Sequence, residues 1–309
     1  MGLFYTYLGA VDYGLIWGFL ALGVFITFRL LDIADLTVDG SFATGGAVCA
    51  DCVLHGMHPL FAILMAILSG FAAGAITGIL HTKCKMPAIL AGILTQLSLY
   101  SINLRIMGGR ANLPLTTANT LFNDLSQSLN VNKYYITFVI AVLFTVSIIA
   151  ILYWFFGTEI GSALRATGNS EQMAKSLGIN ADMMKLLGLM ISNGLVGLSG
   201  ALNALYGQAT DVRIGTGAIV IALASIVIGE VIISGKKGNF ALKLASIAIG
   251  SIIYRIIYAF VLQLGLNTDD LKILTAMLVA VALTIPVILN KQKQLSMYKK
   301  LTGRENNDA

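Results

Sequence analysis

Charge is what this chain has least of. Of its 309 residues only 11% are Asp, Glu, Lys or Arg, against about a quarter in soluble globular domains. Hydrophobic residues make up 57% and the mean hydropathy is +0.84, which excludes an ordinary soluble domain and indicates a polytopic membrane protein. Cysteine is almost as scarce. Cys49, Cys52 and Cys84 form an odd set, and the Cys49/Cys52 pair has no second pair to complete a tetrahedral metal site. All three read as small apolar helix residues. His55, His58 and His81 stand at the ends of apolar runs, where a polar ring reaches water, and take no chemistry.

The spellings of catalysis are missing too: there is no Gly-x-Ser-x-Gly, no His-Glu-x-x-His and no pair of intramembrane carboxylates. An enzyme active in its own right is therefore not expected. Nor is there a G-x-x-x-x-G-K-[ST], so if ATP drives this protein another subunit must bind it. The N-terminal MGLFYTYLGAVDYG has neither a basic region nor a small-residue cleavage site, and its apolar run is expected to be retained as a helix. MGLFYT fits the loose myristoylation spelling, but one acyl chain adds little to a chain with many spans.

What the chain does have is apolar runs long enough, or nearly so, to cross about 30 Å of hydrocarbon. They lie at Val11 to Phe28, Leu60 to Leu80, Met86 to Ile106, Tyr135 to Phe156, Leu186 to Leu205, Phe240 to Leu264 and Leu271 to Leu289. Two more, Ser41 to Val53 and Ala218 to Ile233, are shorter than the roughly 20 residues a full span needs, and each follows a Gly-containing polar turn. The expected fold is all-α, with about nine transmembrane segments, two of them short discontinuous helices.

Lys and Arg accumulate on the cytoplasmic side of short loops. Fourteen of the twenty, including Arg29, Lys83, Lys85, Arg165, Lys175, Lys185, Lys236, Lys237 and Lys243, fall at one set of helix ends; Arg105, Arg110, Lys133, Arg213 and Lys272 fall at the other, and Arg255 lies inside a span. This predicts an outside N-terminus, an inside C-terminus and a large cytoplasmic loop over about residues 157–185. The basic tail, 290–309, is expected at the anionic inner leaflet, its last residues equally well a disordered extension.

The two short segments resemble each other. LTVDGSFATGGAVCA from Leu36 and DVRIGTGAIVIALAS from Asp211 both run Asp, Gly, small residues and then an apolar stretch. In the predicted topology one begins at the inner face and the other at the outer face, as in an inverted repeat, and such pairs point to broken helices at a transport pathway. Gly70, Gly74 and Gly78, with Asn193, Gly194, Gly197 and Gly200, suit close helix packing.

Polar groups inside spans must face the bundle interior, water or a partner. The pathway candidates are Gln96, Tyr100 and Asn103, which recur at four and three residues on one helix face, then Asn193 and Asn203, and Tyr254 and Arg255. Interhelical hydrogen bonding is the alternative for these residues. Arg255 is near the middle of its run and needs a carboxylate, a carbonyl or a water-filled cavity. Glu230, read as the one carboxylate within a span, either supplies that partner or reaches the cytoplasm.

One polar insert remains, ALRATGNSEQMAKSLGIN at residues 163–180. Asn169 or Ser170 suits a helix cap, Glu171 its first turn and Gly178 its stop, giving a helix of two to three turns at the inner surface. QMAKSLG, residues 172–178, keeps the spacing of the Glu-Ala-Ala-x-x-x-Gly motif of ABC importer permeases, with Gln172 and Met173 replacing its first two residues. GSALRATGNSEQMAKSLGIN, KLLGLMISNGLVGLSGAL from Lys185, IALASIVIGEVI from Ile221 and LTVDGSFATGGAV together resemble permease subunits of the branched-chain amino-acid ABC importer family. The Ala-Leu-Arg-Ala-Thr-Gly-Asn spelling looks most like a subgroup associated with aromatic amino-acid uptake; relatives carry ribose or nucleosides.

The resemblance implies a type II importer permease in a bacterial cytoplasmic membrane. Residues 1–289 would form one permease domain, paired with a second copy, two cytoplasmic ATPases that bind ATP and Mg, and an external solute-binding protein or lipoprotein; no nucleic acid is involved. It places Gln172, Met173, Ala174 and Gly178 at the ATPase contact, flanked by Arg165 and Glu171, and Asp211 and Arg213 at the binding protein. An ion-coupled secondary carrier also uses inverted repeats and is the competing reading.

Overall fold

The computed structural model describes residues 2–115, 133–233 and 239–263, with scattered positions between 273 and 284. Ten helices are described. In chain order they are α1 (Gly2–Phe25), continued by a π-helical turn (Ile26–Leu30), α2 (Thr37–Leu54), α3 (Pro59–Thr82), α4 (Ala88–Ile106), α5 (Lys133–Gly157), α6 (Glu159–Asn169), α7 (Glu171–Ser176), α8 (Ala181–Gly207), α9 (Ala218–Ile233) and α10 (Phe240–Gln263). Two three-residue strands, β1 (Asn112–Pro114) and β2 (Ala209–Asp211), pair antiparallel with Leu113 opposite Thr210. They tie the connection after α4 to the one after α8, a long-range contact that no local pattern announces.

Among the described residues, six helices are long and apolar enough to cross a membrane. Burial sorts them: 83% of the apolar window in α1 and 72% of that in α8 is buried, against 28% in both α4 and α5. α1 and α8 are thus the centre of the bundle, and α4 and α5 present residues such as Leu97, Leu143 and Trp154 outward. Eight of the nine apolar runs coincide with helices; the ninth, from Leu271, lies largely outside the described residues. Glycine sets the closest spacing. A Cβ on Gly70 or Gly74 of α3 would stand 2.2 or 2.3 Å from the carbonyl oxygens of Asn193 and Leu189 on α8, so only glycine permits this approach.

The two short helices begin inside the bundle and not at its faces. Gly92, four residues into α4, lies against Leu36 and Thr37, which recesses the start of α2 by about 6 Å. Residues 33–36 lead into it without helical structure, and Asp35 accepts from Thr37 N at 2.9 Å and from Asn193 Nδ2 at 2.7 Å. From there α2 runs toward the strands. α9 runs the other way, toward Arg29, and starts beside the first turn of α2: Asp39 accepts from Gly217 N at 2.8 Å and Ile219 N at 3.0 Å.

Opposed half-helices were the expectation, but the Asp-Gly likeness does not mark equivalent positions. Asp39 is in the first turn of α2 and caps α9, whereas Asp211 ends β2, seven residues before α9 starts, and folds onto its own turn through Arg213 N at 2.7 Å. The reading of Glu230 as the one carboxylate in a span also needs correction. Asp12 and Asp35 are buried and Asp39 is half-buried; Asp35 and Asp39 are there because the donors at broken helix ends need acceptors that water cannot supply, while Asp12, within α1, accepts from Tyr206 Oη.

Removing the Asp39 carboxylate leaves two N–H groups of α9 unsatisfied. Asp39→Ala is expected to destabilise the protein by about 1–3 kcal/mol, read as a lower midpoint of thermal unfolding in detergent, while Asp39→Asn, which keeps one acceptor, retains most of the stability. Equal midpoints for Asp39→Ala and the unsubstituted protein would contradict this role.

Candidate functional site

At the end of the bundle where α1 finishes, the chain leaves the apolar zone. Thr158 starts α6 by accepting from Gly161 N at 3.3 Å, and Ser170 ends it and starts α7 by accepting from Met173 N at 3.3 Å. Gly178 stops the run at φ +81°, a left-handed conformation that costs a residue with Cβ about 1–2 kcal/mol. The cap, acidic first turn and glycine stop read from the sequence are all present. Two points differ: α7 has six residues, under two turns, and residues 159–169 form a helix of their own.

Five of the six expected contact residues of this element separate into two groups, with Glu171 between them. Gln172, Met173 and Gly178 are exposed, together with Leu177, so α7 offers a small apolar tip to the solvent. Ala174 is fully buried and seats the helix, being the residue that faces back toward the bundle. Arg165 also turns inward: it donates to Phe156 O at 2.9 Å and lies over the Phe240 ring at 5.6 Å, bracing α6 against α5 and α10.

Glu171 holds the short helix down. It accepts from Lys175 at 2.7 Å and from Lys185 of α8 at 2.6 Å, and hydrogen bonds from these two ammonium groups lower its pKa to about 2. Lys175 is raised by the same contact. Nearby, Lys85 reaches Asp182 at 3.4 Å, and Arg29 grips Glu230 of α9 with two nitrogens. Glu230 is therefore the partner of Arg29, not of Arg255.

The other predicted polar residues fall into three environments. Asn193 is buried, takes a hydrogen bond from Ser41 at 2.6 Å and donates to Asp35 and Leu189 O. It clamps the entry to α2, which is the interhelical alternative. Gln96, Tyr100 and Asn103 share an arc but not a surface. Asn103 continues the buried stripe Ala91, Thr95, Leu99, with both amide atoms unpaired among the described residues, while Tyr100 is 40% exposed. The arc straddles the edge of the buried face. Tyr254 is buried beside Ala224, and Arg213 is exposed in the turn after β2.

Arg255 and Asn203 do come together, in a cavity of about 560 Å³ between α1, α8, α10 and the turn at Ile214. The guanidinium carbon is 4.1 Å from the ring centroid of Trp17 and 5.6 Å from those of Tyr13 and Tyr258. Asn203 Oδ1 accepts from Trp17 Nε1 at 3.2 Å. A cation well inside a span costs about 2.5–3.5 kcal/mol on insertion scales, and three desolvated ring contacts of about 1–2 kcal/mol each offset that. Of the carboxylate, carbonyl or cavity expected around Arg255, the described residues supply the cavity, with rings on its wall. Sequence reasoning left out Tyr13, Trp17 and Tyr258; their spacings, i to i+4 in α1 and Arg255 to Tyr258 in α10, mark one face each, but nothing local shows that the two faces meet.

A bundle broken at its centre by two half-helices is the build of a membrane transport permease, not of a set of anchors. The chain belongs to the family described as branched-chain amino acid transport system / permease component, whose pattern matches residues 7–287. It is thus a permease subunit of the ABC importer class. It is 42% identical to a tyrosine transport system permease protein of Clostridioides difficile (strain R20291) over 86% of either chain. It is 26% identical to the ribose import permease protein RbsC of Escherichia coli K12, over 84% of this chain and 78% of that one. An inward-facing structure of a metal-chelate type ABC transporter covers 92% of this chain and 84% of its own at 16% identity and a TM-score of 0.49.

Linkage fixes where the hold on α7 fails. Because the pKa of Glu171 is lowered from 4.5 to about 2, its contribution is complete above pH 4.5 and is lost as pH falls toward 2. Amide protection factors over residues 171–178 should stay level from neutrality to that upper bound and fall only below it. In Glu171→Gln they should be low throughout; wild-type-like protection in that variant would show that the lysines do not anchor the helix.

Proposed function

We propose that this chain lines the translocation pathway of an ABC importer for an amino acid, of which tyrosine is the first candidate. The observation that carries the solute is the 42% identity to the tyrosine permease across 86% of both chains. Ribose is the second reading, favoured by the match at 26%. An ion-coupled carrier is set aside, since the family is one of ABC permeases.

In this reading α7 is the coupling helix. Cytoplasmic ATPases, which carry ATP and Mg, seat on the exposed edge formed by Gln172, Met173, Leu177 and Gly178, with Ala174 and Arg165 holding that edge to the bundle from behind. The strand end, with Asp211 and Arg213, faces an external solute-binding protein. A second copy of the chain completes the pathway. The cluster of Arg29, Lys83, Lys85, Lys175 and Lys185 at the α7 end supports a cytoplasmic placement of that end, with the N-terminus outside and the tail 290–309 inside.

Affinity purification from native membranes in mild detergent, followed by mass spectrometry and by uptake in proteoliposomes, tests the assembly. Recovery of a P-loop ATPase and a solute-binding protein, with ATP-dependent uptake of labelled tyrosine, is the expected result. Recovery of the chain alone with ATP-independent uptake overturns it. Gly178→Val tests the coupling edge: a Cβ there meets nothing within 4 Å, so the cost is the backbone strain alone. The variant should insert normally yet lose solute-stimulated ATP hydrolysis, and undiminished stimulation would move the ATPase contact elsewhere.

A further inference from the structure

The cavity around Arg255 has a chemistry of its own. Its described lining carries a single formal charge, the Arg255 guanidinium, set among aromatic rings, with no carboxylate on its wall. Asp12, the one acidic residue of α1, does not itself line the space but accepts at 3.4 Å from the hydroxyl of Tyr206, which does. A guanidinium seated over rings uses its flat face, and its five N–H donors lie along its edge. Of those donors, Nε is buried without a hydrogen-bond partner, and no carboxylate pairs with Arg255 among the described residues. Asn203, whose oxygen accepts from Trp17 Nε1, lines the same space.

We propose that this cavity is a solute site of the permease that takes an aromatic amino acid, with Arg255 holding the carboxylate at its edge and Tyr13, Trp17 and Tyr258 receiving the side-chain ring. The proposal rests on the amino-acid reading above and says which part of the solute the permease itself recognises. At about 560 Å³ the space is in the range that encloses a small ligand. Its charge selects carboxylate over ammonium, and its rings favour an aromatic group over a polyol. With no acidic group on the wall, the solute's amino group is not the feature read.

The two tryptophans make the site observable, because Trp154→Phe leaves Trp17 as the sole indole. In that background, the full chain in lipid nanodiscs is titrated with L-phenylalanine, 3-phenylpropionate, phenethylamine and D-ribose while Trp17 emission is followed. Phenylalanine and 3-phenylpropionate should give saturable changes, and phenethylamine and ribose should bind about 10–100-fold more weakly, the worth of a charge-assisted contact. Arg255→Gln should abolish the preference for the carboxylate, and Arg255→Lys should keep part of it.

Equal response to 3-phenylpropionate and phenethylamine in the unsubstituted pocket overturns the proposal, and this comparison decides even if the Arg255 variants fail to assemble. So does an unchanged preference in Arg255→Gln. ATP-driven uptake by the assembled transporter separates the two levels. If it imports phenylalanine or tyrosine while the cavity shows no carboxylate preference, the site falls and the amino-acid reading stands; if it imports ribose and no amino acid, both fall.

Discussion

The carboxylate of Asp39 at the start of α9 is the contact on which the rest of the bundle turns. In hydrocarbon no water satisfies an exposed backbone N–H, so a helix that begins inside the membrane needs an acceptor supplied by the protein. α2 and α9 both begin inside, and each has one: Asp35 takes Thr37 N of α2, and Asp39 takes Gly217 N and Ile219 N of α9. Both carboxylates stand at the N-terminal ends of the helices they cap, where the unpaired backbone N–H groups point. Because Asp39 belongs to α2, the cap of one half-helix is carried by the other. Gly215, where a Cβ would come within 1.9 Å of Asp39 O, lets the two segments meet closely enough for it.

Much of this was legible in the sequence. Length and composition suffice to find a helix that must span hydrocarbon, and eight of the apolar runs are helices in the structure. α7 was legible for a local reason, since Ser170, Glu171 and Gly178 sit at fixed offsets from one another. What stayed hidden depends on contacts between residues far apart. Asp39 and Asp211 look like copies of one motif, yet the first caps a helix 178 residues away and the second only its own turn. Arg255 called for a carboxylate, a carbonyl or a cavity, and it lies in a cavity whose walls include rings of α1; the charge is readable from one residue, while the facing of two helices is not. Gln96, Tyr100 and Asn103 promised a shared surface, but periodicity places residues on an arc without saying where the buried stripe ends.

α8 connects the two ends of the molecule. Its Lys185 holds Glu171 of the exposed short helix, its Asn193 holds Asp35 at the entry to α2, and its Asn203 holds Trp17 on the wall of the aromatic cavity. These three attachments lie on one continuous helix, and the outer two are about 27 Å apart. A load applied to α7 therefore reaches the cavity through a single rod, with no loop between.

Continuity of packing becomes coupling only where some joint has two arrangements, and the joints differ in how readily they can be remade. The Asn193 cluster is dry, and breaking it strands buried donors and acceptors at about 1–3 kcal/mol each. The Arg29–Glu230 pair is 47% and 38% exposed, so either partner can exchange the other for water at little cost. It joins the π-helical turn that continues α1 to the last turns of α9. Rearrangement is thus cheapest where α1 and α9 part at the α7 end and most expensive where α2, α8 and the entry segment meet. α1 and α9 can separate there while the broken centre of the bundle keeps its hydrogen bonds.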